Sequence, residues 1–365
     1  MYFEVRRGAL HSFAVGLVTV LALQATALAQ DVSLEGKRID IITPTGTGGG
    51  GDAHIRFIAE WYGRYLPGKP TMVPRNIPGG GGLTGSNWFD ANARPDGTAF
   101  FLVSPSAMLT YLLRPNEPSL KFDPRNWRAV VGSPLGRLVY VHSNTGIQTV
   151  EDLKNFAGEL VMGLSSPTGS DMPAMLAMSL LGVKVRPISG IDGGEQALAF
   201  QRGELTMNQD TTSSYAASGK ALEQSGTAVP LFSFGIANED GEIERDPNFP
   251  DLPTWVEAYE TVHGKAPDGP GYEAWRALHS IVVMSARSMV LPAGTPDSVY
   301  DAYVEASRQI DNDPEFSKEA LIRVGNYPQS IGVSAQRIAE RTFEINDEAR
   351  AAIATWLKEH FGIDP

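Results

Sequence analysis

The sequence predicts an α/β protein built as two lobes, and three observations predict it. A strand-loop-helix order occurs twice in succession across residues 38–93. The same order returns between residues 138 and 212. The chain, 365 residues before any processing, is long enough for two cores of ordinary size.

The first run opens with residues 38–43, an apolar stretch read as a buried strand. The loop Pro44-Thr45-Gly46-Thr47-Gly48-Gly49-Gly50-Gly51-Asp52 follows it. Ile55, Ile58, Ala59, Tyr62 and Leu66 then recur at helical spacing, and Pro67-Gly68 ends the pattern. Residues 71–73 read as a second strand. Pro78-Gly79-Gly80-Gly81-Gly82 leads from there into a helix over about 83–93, and Pro95-Asp96-Gly97 turns the chain into a strand at 98–103. Such alternation builds a mostly parallel sheet flanked by helices.

The second run places strands at 138–141, 160–164, 183–188 and 205–208, with helices at 171–181 and 195–202. Thr149-Val150-Glu151-Asp152 has the form of a capping box that opens a helix. Residues 238–270, rich in Asp, Glu, Pro and Gly, read as an irregular surface stretch with one helix near 255–262 and solvated acids. In the tail, helices are expected at 296–310 and 314–323. A long last helix, 334 to about 360, would pack on the first lobe through Ile338, Ile345, Ala349, Ile353 and Trp356.

The amino end has the layout of a secretory signal peptide. Arg6 and Arg7 precede an apolar run from Ala9 to Leu23, and Ala27-Leu28-Ala29 supplies small residues for cleavage near Ala29/Gln30. The run is short for a bilayer span. No later segment is long and apolar enough to span one, so the mature chain is expected to be soluble. Cysteine is absent, which excludes disulfides, thiolate nucleophiles, cysteine metal sites and a lipid anchor on a cysteine. Losing Arg6, Arg7 and Glu4 leaves 28 basic against 41 acidic residues, a mature charge of −13. That balance disfavours nucleic acid as a partner. An anion can still be held locally by backbone N–H groups and hydroxyls.

Three loops offer such places. Gly46-x-Gly48-x-x-Gly51 matches the dinucleotide fingerprint literally, after a strand and before a helix. The acidic residue that a nicotinamide site wants at the end of the second strand is missing, since Thr71–Pro74 supplies none. An NAD(P)-dependent oxidoreductase therefore stands as the alternative reading. Gly79–Gly82 either touches a ligand or only makes a tight turn. Ser165-Ser166-Pro167-Thr168-Gly169-Ser170 is dense in hydroxyls before a helix, and either receives a carboxylate or caps the helix through Ser170. The six histidines include no pair at metal-ligand helical spacing. His54 reads as a helix residue near the surface, and no catalytic residues, metal site or cofactor are assigned.

Taken in order, these motifs resemble one family. The series is Pro44-x-x-x-Gly48-Gly49-x-x-Asp52, then Asn76-x-Pro78-Gly79-x-Gly81-Gly82, then Pro95-Asp96-Gly97-Thr98. It continues with Ser165-Ser166-x-x-Gly169-Ser170, Gly203-Glu204, Asp210 and Leu291-Pro292-Ala293-Gly294-Thr295-Pro296. The series is similar to the tripartite tricarboxylate transporter receptors, or Bug family, across nearly the whole mature chain. The resemblance implies a two-lobed, type II periplasmic-binding-protein-like fold. It implies a monomer in the periplasm that captures a small carboxylate and hands it to integral membrane subunits, with no catalysis. A ligand-sensing receptor subunit would share the same lobes.

The lobes would divide as 31–138 for the first part of lobe one, 139–230 for lobe two, and 231–365 for the return to lobe one. Residues 1–29 are the signal. Contacts carried over from the family are Thr45, Gly46, Thr47, Gly48 and Asp52 in lobe one. In lobe two they are Ser165, Ser166, Thr168, Gly169, Ser170, Asp192, Gly193, Asp210 and Thr211. The chain departs from the family at Pro44-Thr45-Gly46-Thr47, where Pro-Phe-x-Pro is usual. It departs again at Pro173, where histidine is common, and at Ile191-Asp192-Gly193, where Tyr-Lys-Gly is usual. Asp192 and Asp210 would suit a ligand with an amino or hydroxyl donor, or serve as structural caps.

Overall fold

The computed structural model describes residues 32–363 apart from positions 49, 192, 239 and 326. The expected signal segment lies outside the described residues. The chain runs β1 (Arg38–Thr43), α1 (Gly50–Tyr65), β2 (Thr71–Asn76), α2 (Leu83–Asn92), β3 (Ala99–Leu102), α3 (Pro105–Leu113) and β4 (Arg128–Ser133). It crosses to β5 (Arg137–His142), β6 (Glu159–Leu164), α4 (Met172–Leu180), β7 (Lys184–Ser189), α5 (Gly193–Gln201) and β8 (Met207–Thr211). A helical stretch, α6 (212–224), leads to β9 (Ala228–Ser233), the short hairpin β10 (Ile236–Ala237) and β11 (Ile243–Glu244), α7 (Trp255–His263) and α8 (Gly269–His279). The return comprises β12 (Arg287–Leu291), α9 (Asp297–Asp311), α10 (Pro314–Arg323), β13 (Ser330–Ile331), α11 (Val333–Arg341) and α12 (Asp347–Phe361).

Two sheets result. One has six strands in the order β13-β4-β12-β3-β1-β2, the other five in the order β7-β6-β8-β5-β9. The sheets are mixed where mostly parallel ones were expected. β1 lies parallel to β2 and β3 because helical crossovers join them. β12 arrives from far along the chain and inserts antiparallel between β3 and β4. β5 enters the second sheet antiparallel to both β8 and β9. These reversals fix where the crossing lies. The carboxyl end of β4 shares an edge with the carboxyl ends of β1–β3, and Arg137 at the start of β5 pairs with Thr211 at the end of β8. The connection Pro134–Gly136 therefore joins the carboxyl edge of one sheet to the carboxyl edge of the other.

Aromatic packing holds α1 in place. It buries Ile55, Phe57, Ile58, Trp61 and Tyr62. Phe57 stacks on Phe316 of α10 with centroids 5.5 Å apart, and Tyr62 Oη meets Ser307 Oγ of α9 at 2.6 Å. Across the sheet, Phe89 stacks on Phe101 at 4.6 Å. The larger apolar cluster is continuous from there through Trp275 and Ile281 to Trp255, Met162 and Leu164 of the second sheet.

Four sequence expectations change. The long final helix is two helices. Thr342 Oγ1 is pinned to Ser285 Oγ at 2.8 Å, and the Asn346 side chain restarts the helix by accepting the Ala349 N–H at 2.7 Å. α12 also reaches lobe one, where Arg350 Nη1 donates to the Leu112 carbonyl at 2.6 Å. The capping box at Thr149 forms, but heads only a 3-10 stretch over Val150–Asn155. His54 is not near the surface; it is 5% exposed. Asp246 is not solvated; it is 0% exposed and accepts the Asn248 N–H at 2.8 Å. Among the described residues no helix is long and apolar enough to cross a membrane.

Close approach between α2 and the loop after β1 sets the first edge. A Cβ on Gly85 would come 2.7 Å from the Ile77 carbonyl and 2.9 Å from the Pro44 Cα, both backbone atoms. Gly85→Ala is expected to destabilise the protein by about 1–3 kcal/mol through overpacking, read as a fall in the urea midpoint with an unchanged slope.

Candidate functional site

At the first edge, the loop after β1 is folded by its own side chains. Thr43 and Thr45 hydroxyls meet at 2.9 Å, and Asn76 Nδ2 donates to the Thr45 carbonyl at 3.0 Å. Both threonine hydroxyls crowd Gly51, where a Cβ would lie 2.8 Å from Thr43 Oγ1. Asp52 sits in the first turn of α1. Its Oδ2 accepts the Gly48 N–H at 2.9 Å, and its Oδ1 accepts Arg56 Nε–H at 3.0 Å. The Arg56 contact, with the Gly48 amide second, pulls the Asp52 carboxyl down to about 2. Asp52 is thus buried and committed to the loop, while Gly46, Thr47 and Gly48 are exposed and Thr45 is half-buried.

The neighbouring loops complete this edge. Gly79–Gly82 all have positive φ, which glycine adopts without strain. Ser104, just after β3, donates to the Gly81 carbonyl at 3.0 Å and accepts the Ala107 N–H at 3.3 Å, capping α3. The second glycine loop is therefore a turn held at Gly81 by Ser104, a residue that the sequence reading passed over, with Gly79–Gly81 exposed.

On the second edge, the carboxyl ends of β6, β7 and β8 lie together, since β6 is parallel to both of the others. The loop after β6 is organised by Asp171. Its Oδ2 accepts Ser165 N–H and Ser165 Oγ–H, each at 3.2 Å, and its Oδ1 accepts Gln209 Nε2–H at 2.9 Å. The expected cap at Ser170 is not made; Asp171 occupies the cap position and turns its carboxylate back into the loop. Ser165 is exposed, Ser166, Thr168 and Ser170 are half-buried, and Gly169 is buried. A Cβ on Gly169 would lie 3.0 Å from the hydroxyl oxygens of both Ser165 and Ser166. Gly193 opens α5, and Asp192 lies outside the described residues.

Asp210 and Thr211 end β8. The Asp210 carboxylate accepts the Tyr140 hydroxyl at 2.8 Å, and that hydroxyl accepts Asn208 Nδ2–H at 2.7 Å. Burial pushes Asp210 up to about 6, against the opposing pull of Tyr140 and Arg137. Thr211 Oγ1 accepts the Ser214 N–H at 3.2 Å and so caps the start of α6. Arg137 was missed in the sequence. It is buried, donates Nε–H to the Val282 carbonyl at 3.0 Å, and feels both Asp171 and Asp210. A lone arginine at a strand start gives no periodic signal, which is why the sequence did not reveal it.

The predicted contacts thus gather as two sets, one on each edge. Among the described residues no hydrogen bond or ion pair joins the sets directly. What joins the edges is Thr212, whose hydroxyl donates to the Gly136 carbonyl at 3.2 Å and also meets the Tyr327 hydroxyl. Tyr327 in turn donates to Asp246 Oδ2 at 3.1 Å.

Asp210 makes the stability pH-dependent. Below its ordinary value of 3.8 it is protonated in folded and unfolded chains alike; between there and about 6 only the folded chain holds the proton. Its contribution is therefore complete at low pH and lost as pH rises through about 6. Asp210→Asn keeps an acceptor for Tyr140 and is expected to remove up to about 3 kcal/mol of that fall. The measurement is Tm against pH for both proteins.

No protein-family model matches the chain, and no curated sequence does. Solved structures do. The chain is similar to a protein of R. palustris solved with adipate, at 19% identity and TM-score 0.64, covering 90% of this chain and 98% of that one. It is similar to a TctC solute binding protein from Polaromonas, at 19% identity and TM-score 0.63, covering 88% and 99%. It is also similar to MatC from Rhodopseudomonas palustris with bound malate, at 17% identity and TM-score 0.55, covering 89% and 96%. These likenesses establish the fold: two α/β lobes on the plan of periplasmic solute-binding proteins.

Proposed function

We propose that the protein is an exported receptor of the tripartite tricarboxylate type, which captures a small carboxylate between its lobes in the periplasm and delivers it to membrane subunits without chemistry. The observation that supports this reading is that Pro134–Gly136 joins the carboxyl edges of the two sheets, each carrying a hydroxyl- and amide-rich loop. Open α/β sheets bind ligands outside the carboxyl ends of their strands. Neighbours of the same fold were solved with adipate and with malate, both small dicarboxylates.

Lobe one would offer Thr45–Gly48 and lobe two Ser165–Ser170 and Gly193, closing by a hinge motion. The hinge would lie at 133–137 and along the return segment before β12. A nicotinamide cofactor is disfavoured at the first loop. The Gly48 amide that a pyrophosphate needs is held by the Asp52 carboxylate, and β2 ends in Arg75-Asn76 with no acidic residue for a ribose.

Calorimetry of the mature protein against adipate, malate and citrate, with sugars and polyamines for contrast, tests the proposal. One-site binding of at least one acid is expected, weakened about tenfold by Ser166→Ala or Thr168→Ala through loss of a hydrogen bond to charge. Binding of a sugar or a cation with no acid bound would overturn it.

A further inference from the structure

Beneath α1, inside lobe one, lies a cavity of about 50 Å³, room for a few waters or one small anionic group. None of the contacts expected from sequence lines it. Its lining includes the apolar Phe57 and Phe316 as well as Arg287, His54, Ser133 and Tyr327. Arg287 begins β12 and is 5% exposed. Its Nε and Nη1 are buried without a hydrogen-bond partner among the described residues, and so is Nδ1 of His54.

A guanidinium always carries its charge, and burying it without a counter-ion costs several kcal/mol. The groups around the cavity do not supply that counter-ion. Among the described residues no carboxylate forms an ion pair with Arg287, and burial lowers the guanidinium to about 10 against an opposing pull from Tyr327. Asp311 lines the same cavity but makes no ion pair with Arg287, and burial raises its carboxyl. His54 is pushed well below its ordinary value, first by burial and then by Arg287, so it stays neutral and can donate one N–H.

We propose that this cavity is an anion site, in which Arg287, with the His54 imidazole beside it, receives one carboxylate-sized anionic group. A planar carboxylate matches the paired N–H groups of a guanidinium. The group is either a head of the captured acid or a free small anion. The chemistry is the same, and only the first source rests on the receptor reading.

The test is thermal unfolding of the mature protein in formate and, separately, in bromide, at fixed ionic strength balanced with the bulky HEPES anion. A saturable rise of a few degrees is expected, reduced in Arg287→Lys and abolished in Arg287→Met. No anion-dependent rise, or a rise that survives in Arg287→Met, overturns the proposal. Bromide-soaked crystals of the unaltered protein give a readout that needs no variant: anomalous density beside Arg287 supports the site, and its absence there overturns it. Adipate calorimetry separates the sources. A tenfold loss in Arg287→Lys with competition by formate identifies the ligand head; unchanged adipate affinity beside formate stabilisation identifies a free anion. Failure to bind any dicarboxylate would sink the receptor reading and leave the formate result standing.

Discussion

Gly136 has no room for a side chain, and the arrangement of the lobes depends on that. A methyl group there would overlap Asp246 Oδ2 and the Tyr327 hydroxyl and press on Thr212 Oγ1. Three parts of the chain that are distant in sequence converge on this one residue: the end of β8, the acidic stretch after β11 and the turn after α10. Their hydroxyls and carboxylate are buried and satisfied by one another, which is the condition under which a polar network adds specificity rather than cost. The crossing between the sheets is therefore a packed junction with a defined geometry. Both loop-bearing edges take their mutual position from it.

Electrostatics at this junction run against the composition. The chain is strongly acidic, yet two arginines are buried near the crossing, alongside the buried Asp246. Arg137 lies under the second edge, coupled to Asp171 and Asp210. Arg287 lies under the first, paired in register with Ser133 at the end of β4. At the second edge Asp171 and Asp210 offset Arg137, whereas Arg287 has no ion-pair partner among the described residues, and in a low dielectric its charge favours an anion nearby more strongly than it would in water. Net charge alone would have suggested repulsion.

Much of the fold was legible because it is local. Glycine-rich turns after short apolar strands mark β1 and β2, helical spacing marks α1, and the hydroxyl loop after β6 stands out by composition. What stayed hidden is set by distance along the chain. Nothing in residues 287–291 reveals that they slot antiparallel between β3 and β4, and so the sheets read as mostly parallel. His54 reads as surface until α9 and α10 cover it. Asp246 lies among acids that are solvated, and its contacts with Gly136 and with Tyr327, 81 residues on, are invisible in the sequence. The candidate site divides the same way: its loops are readable from sequence, whereas Arg137, Asp171 and Ser104, which position or charge those loops, are ordinary residues until the strands bring them together.

Asp52 and Asp171 share one consequence. In each loop a carboxylate belonging to the protein already occupies donors suited to an arriving anion, the Gly48 amide in one case and the Ser165 amide and hydroxyl in the other. Each loop therefore carries a resident competitor, tethered at high effective concentration. An incoming acid is left the donors that remain, or must displace a neighbour that never diffuses away. In the proposed receptor such competition would put a ceiling on affinity and hasten departure, and a carrier that must surrender its cargo works only beneath such a ceiling.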